Sequence, residues 1–359
     1  MGTISDKLQK ILSTKESIKQ ALLNKGVSIT DSDTFYSYAS KINEIQSTIS
    51  DVNINNIENL SDSWKFYLVS KIGNNNEPDN TYANKTFDDS SWNNVSVPHD
   101  WSIYNNFDRS AKCGAGGGFL DGGLGWYRKK LTNLTDNTKR AIIYFDGIYK
   151  DAYVYVNGTL VGKNKWYNPF YFDITSNLNF DGNDVLAVYV RNFQPSSRWY
   201  SGSGIIRNVF LLTGNKVMLG VNDIYITSPN LETDLSSGIV NTNIKININN
   251  TSSTEQSALF KYSIYFNGKL ITTVSDTNTL STGESFLNKV IEVPNPILWD
   301  EYKGNLYELV LEVSVSNNLV YKKVQKYGYR YFKFDKDKWF YLNGRRLKIR
   351  GVCLHHDLG

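Results

Sequence analysis

Cysteine is nearly absent. Its two residues, Cys113 and Cys353, stand far apart in a chain of 359, so stability does not come from a disulfide framework, and neither redox compartment is excluded. An excess of charge of one sign is also missing. Lys and Arg number 39 against 35 Asp and Glu, a formal balance of +4; that is too thin for the basic footprint of a nucleic-acid binder. No apolar run reaches the length of a bilayer, and the N-terminus MGTISDKLQKIL lacks the apolar core and small-residue cleavage site of a secretory signal. Nucleic acid and membrane are therefore not expected as partners, and a signal-directed secretory route is not expected either.

What the chain has is apolar and aromatic side chains. Hydrophobic residues make up 40% and aromatic ones 14%, with 24 Tyr, 17 Phe and 8 Trp. That suffices to bury the cores of two or three domains, and it excludes disorder over most of the length. Many of the aromatics fall in short alternating runs between Asn, Asp and Gly, a pattern of β-rich domains and of surfaces that stack on sugar rings.

The chain divides into five parts. Residues 1–46 read as two short helices. Ser5 is the N-cap candidate of the first, Leu8, Ile11, Leu12, Ile18, Ala21 and Leu22 form its apolar face, and Gly26 is the stop. The second carries Phe35, Tyr38, Ala39, Ile42 and Ile45 at helical spacing. Such a pair is too small to bury a core alone and is expected to associate with copies of itself or with a partner. A polar, Asn-rich stretch over 47–60 serves as a linker. Residues 61–214 contain short strands such as AIIYFDGI, AYVYVNGTLVG, DVLAVYVRN and NVFLLTG, with Asn157-Gly158 as a hairpin turn; a β-sandwich follows from this pattern. A second set of strands over 215–326, turned at Asn267-Gly268 and without a cysteine pair, fits an immunoglobulin-like sandwich. Residues 327–359 are too few for a domain, with strand-like pieces at 340–342 and 347–352 around Asn343-Gly344.

Two signals carry less than they suggest. The run Cys113 to Gly118 is glycine-rich, but it lacks the Gly-Lys-Ser/Thr ending of a phosphate loop and leads into a strand pattern; it reads as a flexible hairpin loop. In His355-His356-Asp357, adjacent residues on a strand point to opposite faces and do not readily share one ion, so no metal site is assigned.

Five motifs occur in a fixed order: Val97-Pro98-His99-Asp100-Trp101, GGFLDGGLGWYRKKL, FDGIYKDAYVYVNGTLVG, NPFYFDIT and SRWYSGSGIIRNVFL. In these, residues 64–359 resemble the N-terminal half of glycoside hydrolase family 2, the β-galactosidase, β-glucuronidase and β-mannosidase group; the similarity covers about four-fifths of the chain. The resemblance implies a mainly β architecture. A jelly-roll sugar-binding-like sandwich is followed by an immunoglobulin-like sandwich and, from FYLNGRRLKIRGVCLHHDLG, by the truncated start of a (β/α)₈ barrel. It also implies a retaining β-glycosidase of the β-galactosidase type whose two catalytic glutamates lie on later barrel strands. No catalytic residue is therefore expected in this chain, and it should not hydrolyse glycosides alone.

Substrate-binding positions follow from the same resemblance. Asp100 matches a place where the jelly roll reaches the barrel mouth and accepts hydrogen bonds from a sugar hydroxyl; capping a turn is the alternative, held equally. His355 matches a histidine of the first subsite, with Asp357 as its near neighbour. Arg198 and Trp199 lie in a loop that approaches the site, Trp199 to stack on a sugar face and Arg198 to hold a carboxylate or hydroxyl. With Arg207 they equally suit an anchor between jelly roll and barrel. Some members bind Mg or Na beside the catalytic acid, but the ligands fall mostly beyond residue 359, so no cofactor is expected here. The expected partner is carbohydrate, a β-galactoside or related glycan.

The N-terminal run KLQKILSTKESIKQALLNKGVSITDSDTFYSYASKI resembles a helical segment of bacteriophage tail and other structural proteins. It implies an attachment module that self-associates or binds a phage structural partner. A plain helical extension is the less favoured alternative. The competing function is then a non-enzymatic virion protein that keeps the two sandwiches for glycan binding or as a spacer. Location is expected to be cytoplasmic or virion-associated.

Overall fold

The computed structural model describes residues 4–23, 30, 33–34, 56–70, 78–195 and 200–353. The chain separates into two units, one of residues 1–53 with Asn267–Lys269 and one of the remainder. In the first unit, helix α1 spans Ile4–Leu23 and so begins one residue ahead of Ser5. Two contacts one turn apart support it, Ser17 Oγ to Ser13 O at 2.9 Å and Gln20 Nε2 to Glu16 Oε1 at 3.0 Å. Ile11 and Leu12 are exposed. The expected second helix falls outside the described residues. No helix among the described residues is long and apolar enough to cross a membrane.

The second unit begins with a jelly-roll sandwich. Its strands are β1 (Asn56–Asn59), β2 (Trp64–Ser70), β3 (Asn93–Val95), β4 (Gly123–Leu131), β5 (Arg140–Phe145), β6 (Asp151–Val156), β7 (Thr159–Lys165), β8 (Phe170–Asp173), β9 (Asp184–Asn192) and β10 (Val209–Gly214). They form a four-stranded sheet in the order β1-β10-β5-β8 and a six-stranded sheet in the order β3-β2-β4-β9-β6-β7. Every pairing is antiparallel. Strand β1 takes the end of the Asn-rich stretch read as a linker and pairs its backbone with β10. At Asn157-Gly158 the φ angles are +51° and +85°, the left-handed pair that a two-residue hairpin requires.

All nine residues of β9 are buried. Its inner face, with Leu186, Val188 and Val190, meets Trp64, Ile143, Phe145 and Val154 in the sandwich core. Its outer face, with Ala187 and Tyr189, packs with Trp92, Trp126, Tyr153 and Tyr155 in a second apolar cluster. Arg128 closes that second layer. It is 2% exposed, donates to Asp89 Oδ2 at 2.8 Å and caps the carbonyls of Tyr82 and Asn84 at 2.6 and 3.1 Å.

The immunoglobulin-like sandwich comprises β11 (Val217–Thr227), β12 (Ile239–Asn250), β13 (Gln256–Phe266), β14 (Lys269–Leu280), β15 (Gly283–Pro294), β16 (Tyr307–Val315) and β17 (Asn318–Tyr327), with helix α2 (Leu231–Ser237) between its first two strands. Sheets β11-β12-β15 and β14-β13-β16-β17 face each other. Strand β12 shows why: Val240, Thr242, Ile244, Ile246 and Ile248 are buried in strict alternation. Arg140 fastens this sandwich to the jelly roll. Its Nε donates to Asp173 Oδ2 at 2.7 Å and its Nη1 to Met218 O at 3.1 Å.

Residues 332–346 form a small sheet of their own. Strands β18 (Phe332–Asp335), β19 (Trp339–Leu342) and β20 (Arg345–Arg346) form a small antiparallel sheet, and Asn343-Gly344 turns the second hairpin as the sequence suggests. Leu347 N still donates to Phe340 O at 2.9 Å, but the strand expected at 347–352 is not formed among the described residues. A parallel barrel strand takes its hydrogen bonds from neighbours on both sides.

Candidate functional site

Asp100 sits where two loops of the jelly roll run side by side. His99 N donates to Ile205 O at 2.7 Å and Trp101 N to Ser203 O at 3.0 Å, so residues 99–101 and 203–205 pair like a short ladder. Asp100, between them, starts a 3₁₀ turn over Trp101–Tyr104. Its Oδ1 accepts from Ser102 N at 3.0 Å and Ser203 N at 2.9 Å; its Oδ2 accepts from the Tyr200 hydroxyl at 2.5 Å. The carboxylate thus caps its own turn and ties the neighbouring loop to it.

A polar scaffold supports the pair of loops. Asn192 Nδ2 donates to Gly202 O at 3.1 Å and Ser203 Oγ at 2.8 Å. Ser102 Oγ is bonded to Asp121 O at 2.6 Å and lies 2.7 Å from Ser203 Oγ. Trp101, 3% exposed, gives its indole N–H to Gly122 O at 2.7 Å. Gly204 is required at its position. Its φ is +121°, and a Cβ there would stand 2.3 Å from Tyr127 Oη and 2.7 Å from His99 O.

Burial sets the protonation states. His99 Nδ1 lies 2.8 Å from Tyr127 Oη inside the core, and loss of solvent pulls its pKa down to about 4, so the ring is neutral at pH 7. The Tyr127 hydroxyl is pushed well above its usual value by the same burial. The Tyr200 hydroxyl is also raised, first by burial and then by its bond to Asp100, so it remains a donor. Tyr167, whose hydroxyl bonds Ser201 O, is pushed up to about 12 by burial. On the solvent side of the turn, Ile103, Tyr104 and Phe107 are exposed, with Tyr104 lying over the His99 ring at 5.8 Å.

Of the expected site residues, Asp100 is the one the structure describes. Arg198, Trp199, His355 and Asp357 lie outside the described residues. Arg207 is exposed, its side chain against Gly147. Sequence reasoning passed over Tyr200, Ser203 and Asn192, the groups that fix Asp100. The available signal was their place inside or beside the SRWYSGSG and DVLAVYVRN runs. The glycine-rich loop is compact: Ala115–Gly117 make one 3₁₀ turn, and Cys113 Sγ bonds Leu120 O at 3.2 Å. Among the described residues no three His, Cys, Asp or Glu side chains gather as a metal would need.

Residues 224–330 match the family model described as Glycosyl hydrolases family 2. The chain is similar to a β-galactosidase of Bacteroides ovatus, 35% identical over 301 residues, which are 82% of this chain and 34% of that protein. It is also similar to a Formosa agariphila protein provisionally named a β-glucuronidase, 32% identical over 309 residues, 84% of this chain and 28% of that one. Among solved structures, a β-glucuronidase of Bacteroides uniformis superimposes with a TM-score of 0.72 at 27% identity, covering 84% of this chain and 35% of that one. The chain spans about a third of the length of these relatives.

Proposed function

We infer that the chain, which carries a Glycosyl hydrolases family 2 domain at residues 224–330, forms the substrate-side, non-catalytic part of a retaining β-glycosidase of the β-galactosidase type. The observation that carries this reading is the 35% identity to a β-galactosidase maintained over 82% of the chain. It spans both sandwiches, including the loops that hold Asp100. Retaining hydrolysis needs two carboxyl groups about 5–5.5 Å apart, one to protonate the leaving oxygen and one to attack the anomeric carbon. In this reading a (β/α)₈ barrel outside these 359 residues supplies both.

Asp100 contributes from the sandwich side. Its carboxylate is held by Ser102 N, Ser203 N and the Tyr200 hydroxyl. Such an acceptor suits a hydroxyl of the terminal sugar at the barrel mouth, and preorganisation by backbone donors lowers the entropy lost on binding. Tyr104, 75% exposed on the same turn, offers a ring face to the sugar. Arg198, Trp199, His355 and Asp357 belong to the same proposed contact set.

The test compares two proteins. The product of the complete coding sequence should hydrolyse a chromogenic β-galactoside with retention, and faster than the matching β-glucuronide; residues 1–359 should hydrolyse neither. Turnover by residues 1–359 alone would overturn the division of labour. An inert complete product, or a preference for the glucuronide, would overturn the activity or its type.

A further inference from the structure

A cavity of about 700 Å³ opens at one end of the immunoglobulin-like sandwich, where the end of β11, the start of α2 and the segment after β17 converge. Its size is that of a small-molecule site. Tyr225, Ser228, Trp299, Leu306, Arg330 and Phe332 give it its chemistry. Strand alternation turns Tyr225 outwards: on β11 it pairs with Lys245 of β12, whose neighbours Ile244 and Ile246 are buried in the core. Tyr225 is 62% exposed, Phe332 63% and Leu306 43%. Two rings and a leucine thus stand around one hollow without being drawn into the sandwich core.

The wall opposite this apolar surface in character is a stacked cation. The Arg330 guanidinium lies 4.7 Å from the centre of the Trp299 ring. Trp299 is itself fixed: its N–H donates to Tyr329 O at 2.8 Å, and its carbonyl accepts from Asn343 Nδ2 at 2.8 Å. Gly328 makes room for it, since a Cβ there would stand 3.0 Å from Trp299 Cβ. Arg330 is exposed, and among the described residues no carboxylate pairs with it. A guanidinium laid on an indole keeps its N–H donors in the plane of the fork, and the stack reduces the side-chain freedom it loses when a ligand binds.

The geometry points to this cavity as a binding site for a hexuronic acid residue of a glycan. That residue joins a carboxylate, an apolar ring face and hydroxyls in one unit, and the lining answers each. The carboxylate takes two parallel N–H bonds from the Arg330 fork. The C–H face of the ring packs on Tyr225 and Phe332. The hydroxyls meet those of Thr227 and Ser228, which also line the cavity. A neutral sugar leaves the fork unmatched. An aromatic acid offers nothing to the two hydroxyls, and a phosphate has no ring face for the two aromatic side chains. None of these residues surrounds Asp100, and the inference does not rest on the activity proposed above.

Calorimetric titration of residues 1–359 tests it, with digalacturonate as the probe and digalactose and benzoate as controls. Digalacturonate should bind, and digalactose, with hydroxymethyl groups in place of the carboxylates, should bind more weakly by about tenfold or more. Tyr225→Ala alters an exposed position; it should keep the wild-type thermal melt and lose about fivefold in affinity. Arg330→Gln should lose about tenfold, and Arg330→Lys, which keeps the charge without the fork, should recover only part of that loss. The proposal is overturned if digalacturonate does not bind, if digalactose or benzoate binds as tightly, or if Tyr225→Ala and Arg330→Gln bind as the unaltered chain does. Should Arg330→Gln fail to fold, Arg330→Lys and Tyr225→Ala decide by the same criterion. Asp100→Ala should leave the binding intact; its loss there would put the uronate at Asp100 and overturn the proposal.

Discussion

The Tyr200 hydroxyl donates to Asp100 Oδ2 at 2.5 Å, across a hundred residues of chain. This bond joins the two loops whose backbones already pair at His99–Ile205 and Trp101–Ser203. It leaves the carboxylate aimed by three donors and not by one. Tyr200→Phe removes the side-chain donor and keeps the ring. A hydrogen bond to a charged group contributes roughly 1.5–3 kcal/mol, but Ser102 N and Ser203 N remain, so a loss of about 1–2 kcal/mol in urea unfolding is expected. Calorimetric titration with a β-galactoside should show a weaker site in the same variant. Unchanged stability would mean that the backbone donors alone hold Asp100.

Gly204 makes the close approach of these loops possible. A methyl group at Gly204 would enter the space of Tyr127 Oη and His99 O and would force a side chain into φ +121°. Gly204→Ala should therefore destabilise by roughly 2–4 kcal/mol, through clash and backbone strain together. Gly283→Ala is the matched control: φ is +95°, with no atom within 4 Å of the added carbon. There only the backbone term applies, about 1 kcal/mol. Chemical denaturation of both variants separates the two contributions; equal losses would show that the contact with Tyr127 is readily relaxed.

The neutral, buried His99 predicts an acid-sensitive fold. Its folded pKa of about 4 lies below the ordinary 6.5. Between these values the unfolded chain binds a proton that the folded chain does not. Stability from this group is complete above pH 6.5 and declines as pH falls toward 4, by at most about 3 kcal/mol. A thermal melt followed from pH 7 to pH 4 should show that decline, and His99→Gln should flatten the part due to the ring. A slope that persists unchanged in the variant would assign it to other groups.

The sandwich architecture was legible in sequence because alternation is strict in strands such as β12, and because Asn-Gly turns mark hairpins. Strands β4 and β9 are harder to read, since both of their faces are covered. Residues 78–92 cover part of the outer face through Arg128, which reads in sequence as one more surface charge. The surroundings of Asp100 were half legible. Asp100 stands in a recognisable motif, but Tyr200, Ser203 and Asn192 reach it from other strands and loops, and spacing along the chain does not encode such contacts. The strand expected at 347–352 shows the opposite error: its alternation is strand-like, yet a strand forms only where a neighbour supplies the ladder.

Arg140 gives the final prediction, because one side chain serves both sandwiches. It is 5% exposed and spans from Asp173 Oδ2 on β8 to Met218 O on β11. Asp173 has other donors, Thr175 N at 3.0 Å and Thr175 Oγ1 at 2.6 Å, both to Oδ1, and it is about one-third exposed, so loss of the arginine does not strand a buried charge. The cost of Arg140→Ala should then fall below the 3–5 kcal/mol of a fully buried broken pair, at about 2 kcal/mol. Met218 O has no such compensation from the arginine's side once the guanidinium is gone. A lysine carries the charge but not the fork, so Arg140→Lys should keep the contact with Asp173 and lose the one with Met218. Calorimetry should accordingly show a single cooperative transition for the wild-type protein. In both variants it should broaden or split as the sandwiches melt separately, with the jelly-roll transition less depressed in the lysine variant than in the alanine one. A sharp single transition in both would show that the apolar contact of Ile142 with the second core, and not Arg140, couples the two domains.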